Sequence, residues 1–339
     1  MSGRAFEKNI RAISKQNVST SSKQDGTPIV HEKDRLSVTI KKRLWFLNNI
    51  MFLFHTGFVI VTLVVGKLDL YVPIYRLSLT PNGTMTLLRN YSMYTVNEAN
   101  EAFPNWEDQI NEFLSVSTEK QNFSLPMTWL VATFFFLSAF FHFGNANLWW
   151  RYYISYMEIQ QSPFRWMEYT LSASVMILIV SYGAGIRIDV DLFMLFVLIA
   201  TTMFFGHLTE VVNRKSSTDD KWTLPLVQRL TPHVMGYLPQ ISAWFVIVYI
   251  FMDNSEDAPD FVSAIIWTEL ALFFSFGFVQ LAVILRPPSR YVQGEIAYQV
   301  LSLGSKGLLG IIMLVNVIFL GSWTCIVDRI KERLPSDYC

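Results

Sequence analysis

The sequence predicts an all-α fold, a bundle of seven membrane-spanning helices with a cytoplasmic N-terminus and a small β-hairpin in the first outer loop. Three observations carry this expectation. Of 339 residues, 52% are hydrophobic and only 16% charged, against roughly 25% charged in soluble domains. The apolar residues fall in long runs, and seven of these approach the ~20 residues that a helix needs to cross a bilayer. Lys and Arg crowd the segments on one side of those runs.

The elements follow in order. Residues 1–44 are polar, rich in Ser, Lys and Thr, and read as a disordered cytoplasmic tail without the apolar core of a signal peptide. The predicted spans are 45–66, 126–147, 163–186, 191–212, 234–252, 261–285 and 295–324, within a membrane domain of 45–327 that leaves 328–339 as a short outer tail. With the N-terminus inside, the cytoplasmic segments hold 18 Lys and Arg and the outer segments eight. Lys41, Lys42 and Arg43 sit at the mouth of the first span, and the outer segment "DNSEDAPD" is purely acidic. The basic tail at Arg329, Lys331 and Arg333 is the one dissenting signal. The outer loop 67–125 carries sequons at Asn82, Asn90 and Asn122, which suit an outer location. Within it, "DLYVPIYRLSL" and "TMTLLRNYSMYTV" alternate like strands around a "PNGT" turn, and 100–115 reads as a short amphipathic helix.

Composition excludes several functions. Formal net charge is +0, which points to no nucleic acid or other strongly charged partner. The two cysteines, Cys325 and Cys339, make neither a disulfide framework nor a metal cluster. No internal repeat suggests an inverted-repeat transporter.

Ionisable residues inside spans are functional hypotheses by default. Lys306, in "SLGSKGLLG", lies eleven residues past Glu295, or roughly 16 Å deep at ~1.5 Å per residue. Three readings are open: half of a structural ion pair, an ion or substrate ligand in a transporter, or an amine bound covalently to a carbonyl compound. Ser302 lies one turn before it on the same face, placed to hydrogen-bond a Schiff base or its counterion. Gly304 and Gly307 would leave its flanks open to a bulky adduct. Glu168, about a turn inside a third span opened by Pro163, is the best partner for the cation. The bland alternative keeps Glu168 at the interface with Arg165. His55 and His142, on the first two spans, suggest a polar cluster or proton relay. Glu210 is near the cytoplasmic end and reads as solvated; Glu269 lies deeper, as a proton-path group or interface hydrogen bond.

These residues resemble a known family. A lysine midway along the seventh of seven helices resembles retinal-binding rhodopsins. The runs "RWMEYTLSAS" and "SLGSK", the long first outer loop, a histidine in each of the first two spans and the inverted orientation resemble heliorhodopsins in particular, over residues 45–324. The resemblance implies that Lys306 holds all-trans retinal as a Schiff base, with Glu168 as counterion and Ser302 as hydrogen-bonding partner. His55 and His142 would belong to a polar cavity beside it. Tyr169, Met203, Gly206, Trp244, Phe273 and Gln280 would line the chromophore pocket.

The expected function is a light-activated photoreceptor, not an enzyme. It would isomerise retinal from all-trans to 13-cis in a slow photocycle and signal to an unknown partner. Its other implied partners are the lipid bilayer and a second copy in a homodimer. Outward proton pumps pair carboxylates on the third helix, and the position a turn-pair beyond Glu168 is Val175, so pumping is not expected. The alternatives are a light-gated proton conductor using Glu168, the histidines and Glu269, and a retinal-free transporter or receptor built on a Lys306–Glu168 ion pair.

Overall fold

The computed structural model describes residues 35–78, 117–216, 218–255 and 258–319. Seven long helices and one short one dominate: α1 (Val38–Val65), α2 (Met127–Phe143), the short α3 (Trp150–Glu158), α4 (Pro163–Gly183), α5 (Asp189–Val212), α6 (Leu226–Asp253), α7 (Asp260–Leu285) and α8 (Tyr291–Met313). A π-helical turn, 144–148, extends α2, and another, 314–319, extends α8. Six of the helices are long and apolar enough to cross a membrane. The further helix is α4. Its inward polar side chains, Arg165, Glu168, Ser172, Ser174 and Ser181, dilute an otherwise apolar run.

Each helix packs on its sequence neighbours, α1 on α2, α2 on α4, α4 on α5, α5 on α6, α6 on α7 and α7 on α8, and α8 returns to α1. The bundle therefore closes on itself. Its polarity is that of a membrane protein. Val64, Phe193, Phe245 and Phe278 are more than 60% exposed on the outside, while Asn48, His55, Glu168 and Lys306 are buried. Charged and amide groups avoid lipid and collect where they can find one another. The chain is an integral membrane protein.

The boundaries depart from the apolar runs where physics allows. α1 begins at Val38, inside the stretch read as tail, because Ser37 caps it by accepting from the Ile40 N–H and helix formation does not need apolar residues. Lys41, on that first turn, pairs with Glu158 of α3 at 2.7 Å. Glu158 also accepts the Leu36 N–H at 3.0 Å. α3 lies between two predicted spans, where no helix is predicted. Its buried face, Tyr153, Ile154 and Met157, packs against Leu44 and Tyr291.

The outer loop carries the expected small antiparallel sheet. β1 (Tyr71–Ser78) is where the alternation predicts a strand, but it pairs antiparallel with β2 (Ser117–Pro126). The expected partner, 84–96, and the "PNGT" turn lie outside the described residues, as do the 100–115 helix and the sequon residues Asn82 and Asn90. Alternation specifies which face a strand buries, not which strand pairs with it. Tyr75 donates its N–H to the Arg187 carbonyl at 2.9 Å, and Arg76 pairs with Asp189 at 2.9 Å, tying the sheet to the start of α5.

Candidate functional site

Lys306 is 3% exposed at the centre of the bundle. Its Nζ donates to Glu168 Oε1 of α4 at 2.7 Å and to Ser138 Oγ of α2 at 2.5 Å. The flexible lysine stem bridges the difference in depth between the two groups. A buried charge that loses its partner is strongly destabilising, so this pairing is what makes the lysine tolerable. The bland alternative for Glu168 is overturned, since Arg165 turns elsewhere.

The histidines stand beside the pair. His142 Nε2 lies 4.0 Å from Glu168 Oε2. Its Nδ1 shares a hydrogen bond of 2.9 Å with Asn48 Oδ1. His55 stacks on His142, centroids 5.6 Å apart. Neither ring nitrogen of His55 has a hydrogen-bond partner among the described residues. Ser138, Asn48 and the two histidines thus make one polar cluster across α1 and α2. No apolar-run pattern singles out Ser138 and Asn48, although their spacing carries a signal. Ser138 is four residues before His142 and Asn48 seven before His55, so each shares a helix face with its histidine.

Two flank assignments change. Ser302 is buried near the Tyr169 hydroxyl and makes no hydrogen bond to Lys306; Tyr169 donates to the Tyr298 carbonyl at 3.2 Å, and Ser138 takes the contact with the lysine. Gly304 does not open space for an adduct, because two residues of helix carry it to the exposed side of α8. Gly307 abuts Phe54. Room lies on the other flank of Lys306, in a cavity of about 340 Å³ lined by Tyr169, Ser172, Met176, Met203, Phe273 and Ser302.

That cavity shares the walls Tyr169, Met203, Phe273 and Phe276 with a second, of about 490 Å³, which reaches Gly206, His233, Gln240 and Gln280. Together they form an elongated, mostly aromatic and aliphatic space ending at an amine, the lining expected of a small-molecule site. Gly206 opens the wall: a Cβ there would run into the Trp166 ring. Gln280 donates to the Gly206 carbonyl at 2.8 Å and shares a 3.0 Å hydrogen bond with His233. Trp244 stands behind the wall rather than in it, edge-on to Phe273 at 5.4 Å. Glu269 faces α8, accepting from Ser305 Oγ at 2.7 Å, and Ser305 itself lines the cavity beside Lys306.

On the other side of Tyr169 lies a second charged centre. Arg165 is buried and binds both Glu210 of α5 and Glu295 of α8. Glu295 also accepts from the Tyr153 hydroxyl at 3.1 Å, and Glu210 from the Ser162 N–H at 2.9 Å. The guanidinium lies over the Tyr298 ring at 4.1 Å. Glu210 is therefore not solvated. Nearness to a span end says nothing about whether a neighbouring helix covers the residue. No group of His, Cys, Asp and Glu able to hold a metal is found among the described residues.

The arrangement can hold a linear carbonyl compound on Lys306 and keep the attached nitrogen charged against Glu168. Among solved structures, the chain is similar to a light-driven proton pump from Leptosphaeria maculans, with 13% identity over 83% of this chain and 94% of that one and a TM-score of 0.48. No curated protein matches it. The heliorhodopsin family model matches residues 46–318, most of the length and every residue of the site just described. The chain belongs to the heliorhodopsin family.

Proposed function

We propose that the protein is a light-activated retinal photoreceptor in which Lys306 carries all-trans retinal and Glu168 is the counterion. The observation that carries this reading is a buried amine 2.7 Å from one carboxylate at the head of an elongated cavity. When bound, retinal supplies a visible absorption band and a light-driven isomerisation from all-trans to 13-cis.

The chain's own residues do the rest. Lys306 anchors the chromophore, and Tyr169, Met203 and Phe273 confine its length. Glu168 and Ser138 hold the nitrogen's proton, and low surrounding dielectric makes their interaction strong. His142 and His55 offer the next proton sites, 4.0 Å and one ring stack away. The Arg165–Glu210–Glu295 centre joins α4, α5 and α8, so a shift in the walls beside Tyr169 and Trp166 reaches it directly. With Lys and Arg enriched in residues 1–44, that end faces the cytoplasm, and the signal leaves there toward a partner.

Purification with all-trans retinal tests the reading: a visible band is the expected result, and its absence overturns it. Replacing Glu168 by Gln is expected to move that band to the red, or to lose it to the near ultraviolet as the nitrogen gives up its proton. An unmoved band would place the counterion elsewhere. A second reading, a light-gated proton conductor, is favoured by Glu269, which meets the cavity through Ser305. Photocurrents under voltage clamp separate the two. A receptor gives none at any voltage.

A further inference from the structure

The cavity end remote from Lys306 is not apolar. Thr202, His233, Tyr237, Gln240 and Gln280 all line it. Most of these polar groups are engaged. His233 and Gln280 bond one another, Gln280 also reaches the Gly206 carbonyl, and Thr202 donates to the Leu198 carbonyl at 3.1 Å. Gln240 differs. It is 4% exposed, and neither its Nε2 nor its Oε1 has a hydrogen-bond partner among the described residues. It lies seven residues after His233, two turns along the same face of α6. An unsatisfied buried donor and acceptor each carry a cost that an apolar side chain would avoid. A chromophore with a plain hydrocarbon ring would fill this end and leave that cost in place.

We infer that Gln240, supported by His233 and Gln280, makes this end of the cavity selective for a retinal whose ring bears an oxygen, as hydroxyl or ketone. The inference rests on the retinal reading above: a linear ligand tethered at Lys306 must present its far end here. A carboxamide suits such an oxygen. Its N–H donates to either group, and its carbonyl also accepts from a hydroxyl. A site built for a hydrogen bond rejects the analogue lacking it more strongly than an apolar site rejects the analogue that has it.

The test is competition. The opsin is offered an equimolar mixture of all-trans-retinal and all-trans-3-hydroxyretinal, and separately of all-trans-retinal and all-trans-4-oxoretinal. Bound chromophore is then extracted and separated by chromatography. The full-length protein is expected to enrich at least one oxygenated form by about five- to a hundredfold, the span of one satisfied buried hydrogen bond. Gln240→Leu and, separately, Gln240→Met are expected to bring the ratio to one or below. Because both forms compete within one sample, a smaller folded fraction lowers both alike and leaves the ratio intact. No enrichment of either form in the native protein overturns the proposal, as does enrichment that survives both substitutions. Failure of plain retinal and both analogues to give a visible band would instead overturn the retinal reading itself.

Discussion

Lys306→Ala protein, purified with all-trans retinal, is expected to show no visible band at all. In the proposed reading the anchor is a single amine, 3% exposed, and among the described residues no other lysine lines either cavity. Without it the ligand can lie in the cavity only as a free aldehyde, with no cation for Glu168 to face. The substitution also leaves Glu168 buried without its main partner, which costs about 3–5 kcal/mol in comparable buried pairs. Reduced thermal stability is therefore expected alongside the colour loss. A primary alkylamine supplied with retinal provides the control. The resulting imine fits where the lysine stem was removed and returns the cation to Glu168, so both colour and stability should recover in part. A visible band in Lys306→Ala without added amine would show that the attachment site is elsewhere.

Arg165→Met is expected to be the most destabilising single change outside the chromophore site, lowering stability by about 3–5 kcal/mol. The guanidinium neutralises two carboxylates at once, Glu210 and Glu295, on two different helices. Removing it leaves both charges buried, with the Tyr153 hydroxyl still donating to Glu295 and the Ser162 N–H to Glu210. The triple change Arg165→Met, Glu210→Gln, Glu295→Gln removes the stranded charges and is expected to recover much of the loss, since neutral replacements of buried ionic groups are often tolerated. Thermal unfolding in detergent, followed by far-ultraviolet circular dichroism, measures both. A single variant as stable as the native protein would mean that α4, α5 and α8 are not joined through Arg165.

The helices of the bundle were legible because hydrocarbon imposes a one-dimensional rule, about 20 apolar residues per crossing, which six of them meet. The same rule exposed Lys306 and Glu168, because a charge inside such a run has few explanations. Legibility failed where the answer depended on a neighbour. Ser138, not Ser302, meets the lysine Nζ, and a serine in an apolar run is too common to stand out. Glu210 and Arg165 both sit near span ends, where sequence alone cannot distinguish a solvated side chain from one covered by α8. The pairing of β1 with β2, which begins only at Ser117, was not legible either, because alternation carries no record of pairing.

By itself, the sequence determined the bundle, its polarity, and the lysine and carboxylate that define the site, since each follows from the local conflict between a residue and its solvent. The tertiary structure decided what that conflict is resolved against. It set Glu168 and Ser138 on Lys306, Asn48 on His142, and Arg165 between two glutamates, and it left Gln240 at the cavity end without a partner among the described residues. Those outcomes turn on distances of a few ångströms between helices, because hydrogen bonds and ion pairs act only at contact. No pattern along one chain encodes which faces will meet there.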